Sequence, residues 1–197
     1  MTNQTGRSSL INEEFKEGEM TRKHNVACHC GQVTVEVEGP HIAVTECLCS
    51  SCRKAGAVLS TLPGAPAILD EKGATPFVMH RKDRVRISSG KDRLRAYRLS
   101  PDAKTRRVVA TCCNTPVLLE FQGGHWFSLY GQLWPKGTLP PLEFRTMTGD
   151  LEDPGVLPDD VPNLRQHSLA FYRRLLGAWV KMGFRNPKLV VEGELNV

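Results

Sequence analysis

The 197-residue sequence contains no apolar run near the roughly 18 to 20 residues that a membrane-spanning helix needs. Its opening, MTNQTGRSSLINEEFKEGEM, has no apolar stretch of the kind that directs secretion. A helical membrane protein is excluded, and a cytoplasmic location is expected. Also missing are the apolar depletion of disordered chains and the glycine and proline excess of fibrous ones, because hydrophobic residues make up 40% and charged residues 24%. A folded core follows, in one domain with appendages, since a domain takes about 150 residues. No internal repeat is visible. Nor is any cysteine left over for ordinary packing, because all seven fall in three clusters. In a reducing compartment an odd set of cysteines does not make a disulfide framework, which leaves metal ligation or redox chemistry.

Residues 1–22 are polar, mixed in charge and aperiodic, which predicts a flexible tail without chemistry. From Gln32, Val33, Val35 and Val37 alternate with Thr34, Glu36 and Glu38 up to Gly39-Pro40, the period-two pattern of a half-buried strand ended by a turn. Short segments at 42–46, 57–62, 76–80, 84–88, 93–99, 106–111, 117–121 and 126–130 continue the pattern, punctuated by turn pairs such as Pro63-Gly64 and Gly123-Gly124. So many short strands predict a mainly β, antiparallel sandwich or tent-like domain over 23–134. Residues 135–162 carry six prolines and little periodicity, which predicts an irregular connection. Over 163–182, Leu164, Leu169, Tyr172, Leu175, Leu176 and Trp179 recur at spacings of three to five, which predicts an amphipathic helix packing on the domain.

The clusters are Cys28 with Cys30, then Cys47, Cys49 and Cys52, then Cys112 with Cys113. Zinc, a borderline-soft cation, favours tetrahedral thiolate sets, and C-x-C and C-x2-C spacings bring the sulfurs together locally. In an extended segment Cys28 and Cys30 point to one side and His29 to the other. The run Cys47-Leu48-Cys49-Ser50-Ser51-Cys52 requires a sharp turn after Cys49 for three sulfurs to converge, and Ser50-Ser51 suits one. Buried inert thiols, or a redox pair of Cys49 with Cys52, are the competing readings. One or two zinc ions account for all three clusters.

The order Ala27-Cys-His-Cys-Gly-Gln-Val33, then Cys47-Leu-Cys-Ser-Ser-Cys-Arg-Lys-Ala-Gly56, then Cys113-Asn114-Thr115-Pro116 resembles the glutathione-dependent formaldehyde-activating enzyme and centromere-protein-V-like family over roughly residues 24–130. The resemblance implies an Mss4-like fold with two zinc sites, one structural with four thiolates and one catalytic with three. It assigns Cys28 and Cys30 to the first and Cys47, Cys49 and Cys52 to the second. The sequence departs from the family's late C-x2-C: Ala110 stands where the first cysteine belongs, and Cys112 is additional. Adjacent residues on a strand face opposite ways, so Cys113 is expected with Cys28 and Cys30, while Cys112 either completes that site or closes the other.

The implied activity is adduct formation between a thiol of the glutathione type and a small aldehyde, a carbon–sulfur lyase chemistry. A zinc with three thiolates carries a net −1 and suits an incoming sulfur better than hydroxide generation. Arg53 and Lys54, next to the last ligand, are candidates for a substrate carboxylate or for offsetting that charge. The alternative is a zinc-stapled binding module. Residues 81–107 hold eleven Lys/Arg against Asp83, Asp92 and Asp102. In Arg84-Val-Arg-Ile87 and Arg93-Leu-Arg-Ala96 the arginines alternate outward, a footprint for an anionic partner such as nucleic acid. Aromatics are scarce there, with only Tyr97 nearby, so stacking on single strands has little support.

Overall fold

A computed structural model describes residues 23–197, and the tail expected over 1–22 lies outside the described residues. In chain order the strands are β1 (Lys23–Ala27), β2 (Thr34–Glu38), β3 (Ala43–Cys47), β4 (Thr75–Arg81), β5 (Val85–Ser89), β6 (Leu94–Tyr97), β7 (Thr105–Ala110), β8 (Thr115–Phe121), β9 (Trp126–Tyr130), β10 (Phe144–Thr146) and β11 (Asn163–Leu164). Two α-helices accompany them among the described residues, α1 (Ser50–Leu59) and α2 (Leu169–Lys181). The chain is mainly β, as its alternation predicts.

A three-stranded antiparallel sheet, β1-β2-β5, faces an eight-stranded one ordered β11-β10-β3-β4-β9-β8-β7-β6. Valines at every second position of β2 explain the stacking. Val35 and Val37, with Val33 just before them, are fully buried against Val44, Val78, Val108 and Leu118 of the large sheet. Each such side chain contributes about 1.5–3 kcal/mol by leaving water.

Residues one step out of phase on the large sheet point to its other face. Phe77 and Val109 pack there with Cys52, Ala55 and Leu59 of α1, and Ala43, Met79 and Phe144 with Phe171 and Leu175 of α2. The eight-stranded sheet is therefore covered by the small sheet on one side and by helices on the other. This second side carries the three-cysteine run.

Three expectations change. The strand expected at 57–62 is the end of α1 and the turn after it, because Cys52, Ala55, Gly56 and Leu59 recur at helical spacing and bury one face. The C-terminal helix begins at Leu169 rather than Asn163. Ser168 caps it by accepting from the Phe171 N–H at 3.1 Å, and Asn163–Leu164 pair with β10 instead. The stretch 135–162 also contributes structure, since β10 lies parallel to β3 with Thr146 opposite Cys47.

His80 on β4 is only 4% exposed, and its Nδ1 has no hydrogen-bond partner among the described residues. Burial, aided by His41 and His24, pulls its pKa down to about 3. The unfolded chain binds a proton near pH 6.5 that the folded chain refuses, so this residue's stabilisation is complete above that pH and lost as pH falls from about 6.5 toward 3. Urea titrations from pH 7 to 4 are expected to show a stability slope that His80→Phe reduces by about 1.4 kcal/mol per pH unit. An unchanged slope would remove His80 from the acid sensitivity.

Candidate metal centres

The first centre joins two tight turns at one edge of the sandwich. Between β1 and β2 the chain reverses at Cys28-His29-Cys30-Gly31, closed by the Gly31 N–H to the Cys28 carbonyl at 2.9 Å. Gly31 has φ of +75°, a left-handed conformation that glycine adopts without cost. The Val33 N–H donates to Cys28 Sγ at 3.3 Å. Cys28 and Cys30 thus share a side through a turn rather than an extended strand. His29 is exposed, with its backbone N–H donating to Thr115 Oγ1.

The opposing turn, Thr111–Asn114, links β7 to β8, and Asn114 supplies its left-handed residue with φ of 52°. This overturns the expectation that Cys112 and Cys113 face opposite ways, because adjacent side chains diverge on a strand but not around such a turn. Cys112 Sγ lies 3.4 Å from Cys30 Sγ and 3.8 Å from Cys28 Sγ, and 3.9 Å from Cys113 Sγ. Cys28 and Cys30 sulfurs are 3.6 Å apart. Four sulfurs around a tetrahedral zinc at Zn–S of ~2.3 Å stand about 3.8 Å from one another. The spacing fits a closed four-thiolate site, and Cys112 belongs to it.

Ionisation follows the same geometry. Burial opposes it at Cys113, yet Thr115 Oγ1 at 3.1 Å and the Cys30 N–H hold that thiol down to about 6, while burial pushes Cys28 and Cys112 up. Four sulfurs this close cannot all be anionic without a cation among them.

The second centre lies on the helix-covered face. Cys47 ends β3, Cys49 is the N-cap of α1 and Cys52 sits in its first turn, so the sharp turn expected after Cys49 is a helix start. Cys49 Sγ accepts from the Cys52 N–H at 3.4 Å, and Asp150 caps the same end by accepting from the Ser50 N–H and hydroxyl, both at 2.8 Å. The three sulfurs lie within 4.8 Å of one another, and no other His, Cys, Asp or Glu joins them among the described residues. Hydrogen bonds from the Cys47 and Cys52 thiols hold Cys49 down to about 2, and the bond to Cys49 pushes Cys47 well up. At Cys52 the bond with Cys47 acts downward, but that with Cys49 and burial prevail and push it up to about 12. The set is three soft donors at a helix N-terminus, a place that favours thiolate.

All three cysteines open onto a cavity of about 450 Å³. Its floor is the large sheet: Thr45 of β3, Phe77 and Met79 of β4, Leu119 of β8 and Ser128 of β9. Phe171, Tyr172 and Leu175 of α2 close it from above. His167 forms part of the wall, stacked on Phe171 with ring centroids 4.6 Å apart, and its Nδ1 meets Thr146 Oγ1 at 2.9 Å.

Sequence reasoning missed Arg107. Fully buried on β7, it donates to the Ser51 carbonyl at 3.0 Å and to Thr105 Oγ1 at 3.3 Å, while its Nε has no partner. No carboxylate pairs with it among the described residues, and its charge favours the ionised form of Cys52. The parity of β7 held the signal, because Arg107 shares a face with Val109. Arg53 is half-buried and Lys54 exposed on α1, and neither lines the cavity. Much of the basic stretch is neutralised locally. Arg84 and Arg86 pair with Glu38 and Glu36, Arg98 with Glu194, and both Lys82 and Arg106 with Glu120.

No helix among the described residues is long and apolar enough to cross a membrane. No curated protein matches the chain. Among solved structures, the crystal structure of a Rhodobacter sphaeroides protein from a structural genomics programme is 18% identical. The match covers 59% of this chain and 92% of that one, with a TM-score of 0.43. A family model described only as a family of unknown function, DUF6151, matches residues 20–129, which include every cysteine of both centres. The chain therefore belongs to the DUF6151 family.

Proposed function

We propose that this protein holds two zinc ions, one structural and one reactive, and that the reactive one handles thiol adducts of small aldehydes. One observation carries the reading: the second centre has three sulfurs, lacks a fourth donor among the described residues, and opens onto a cavity. Cys28, Cys30, Cys112 and Cys113 would bind the first ion with every position filled, as structural sites are. Cys47, Cys49 and Cys52 would hold the second and leave one position for an incoming sulfur. Zinc there would keep that sulfur deprotonated.

The residues around the centre support the rest. In the forward direction a thiolate lone pair forms the C–S bond to a carbonyl carbon, the C=O π pair moves to oxygen, and the oxygen takes the proton the thiol gave up. Breaking the adduct runs the same steps backwards. His167, fixed by Thr146 and facing the cavity, is placed to carry that proton between the two atoms. The resemblance to the formaldehyde-activating family points the same way. The local ion pairs of residues 81–107 weigh against the rival reading, a face for an anionic partner.

Metal analysis with X-ray absorption is the direct test. Two zinc per chain are expected, with a sulfur average near 3.5 per ion that rises toward four when a thiol is added. The same protein should speed hemithioacetal exchange between a thiol and formaldehyde, followed by NMR. One zinc per chain, or a sulfur average that stays near 3.5 when a thiol is added, would refute the reading.

A further inference from the structure

The cavity says which thiol. Among the described residues that line it, none is Lys, Arg, Asp or Glu. Its walls are Phe77 and Met79 below, Leu119 and Trp126 to the side, and Phe171 and Leu175 above. Its other polar groups are uncharged: five serine and threonine hydroxyls, the Tyr172 hydroxyl and the His167 ring. Arg107, the buried cation nearby, is turned toward the Ser51 carbonyl and Thr105 and does not line the space. A charged group drawn into such a chamber would lose its hydration without meeting a counter-charge. An apolar group would exchange water for ring and aliphatic surface.

We propose that the thiol received by the three-cysteine centre is a small, predominantly apolar one, aromatic or aliphatic, and not a charged peptide thiol. The inference rests on the reading of that centre as an open metal site, and it names the substrate class. Six of the lining residues, Thr146, Met147, His167, Phe171, Tyr172 and Leu175, lie beyond the stretch the DUF6151 model matches. The C-terminal segment therefore contributes to the selection by adding the roof to a floor made by the sheet.

Matched probes separate the inference from the reading beneath it. In protein loaded with two cobalt(II) ions, the thiolate-to-cobalt absorption reports metal binding, and its change on titration reports a sulfur entering the open position. 2-Phenylethanethiol and 2-mercaptoethanesulfonate share the same HS–CH2–CH2 arm and differ in the apolar or anionic end. The phenyl probe is expected to bind at least tenfold more tightly than the sulfonate and than glutathione. Phe121→Arg, a change at a 44% exposed lining position that α2 does not cover, should narrow that ratio at least threefold with the cobalt spectrum of the thiol-free protein retained. Equal or tighter binding of the sulfonate or glutathione, with both cobalt ions bound, overturns the choice of thiol alone. A protein that takes up only one cobalt overturns the open site and the inference with it.

Discussion

Cys112→Ala is expected to lower the zinc content from two ions per chain to one and the melting temperature by about 10 to 20 °C, the shift that a loss of about 5 kcal/mol produces in a chain of this size. The magnitude follows from what the four sulfurs join. Cys28 and Cys30 belong to the turn between β1 and β2 of the small sheet, and Cys112 and Cys113 to a turn of the large one, 84 positions apart between Cys28 and Cys112. A site of this kind forms only in the folded state, so its binding energy adds to folding stability. Without Cys112 the remaining three sulfurs still crowd one another. Inductively coupled plasma analysis and calorimetry read the two effects. Two zinc ions retained in Cys112→Ala, with an unaltered melting temperature, would remove Cys112 from the site and reopen its assignment to the other.

Arg107→Met is expected to weaken the second zinc by about a hundredfold or more and to leave the first untouched. Zinc held by the three thiolates would carry a net −1, and the Arg107 guanidinium, fully enclosed and without a carboxylate, would supply the opposite charge. Removing one member of a buried charge pair costs about 3–5 kcal/mol. In the metal-free protein the Cys49 thiolate already carries one negative charge, so Arg107→Met is expected to destabilise both forms, the loaded one through its lost zinc affinity as well. Competitive chelator titration reads that affinity, and Arg107→Lys, which keeps the charge, is expected to restore most of it. A lysine variant as weak as Arg107→Met would assign the effect to packing.

The sequence disclosed much of this and concealed particular parts for physical reasons. The valines of β2 show period two because one face is buried and the other carries glutamates, and the cysteine runs are visible because their ligand spacing is local. The helix beginning at Ser50 was hidden because its cap is a cysteine sulfur, while serine, threonine, aspartate and asparagine are the usual caps. β10 is three residues long and pairs with β3 about a hundred positions away, too short for periodicity and too distant for a turn signal. The placement of Cys112 turned on Asn114 adopting a left-handed conformation, which the neighbouring letters permit but do not announce. Arg107 was counted among surface charges, although its register with Val109 turns it inward.

The second centre and its chamber are also separated in time. Cys47, Cys49 and Cys52 occupy six consecutive positions and can gather as soon as that stretch has left the ribosome. The roof depends on Phe171 and Leu175, about 120 residues later, which at ribosomal rates is roughly 6 to 25 s of further synthesis. During that interval three thiols meet cellular metal and oxidants without walls around them. On the proposed function, the nascent chain would face a choice of ion before it gains the means to choose a substrate. Prompt loading with zinc, which takes no part in redox cycling, would carry the site safely to the moment α2 closes over it.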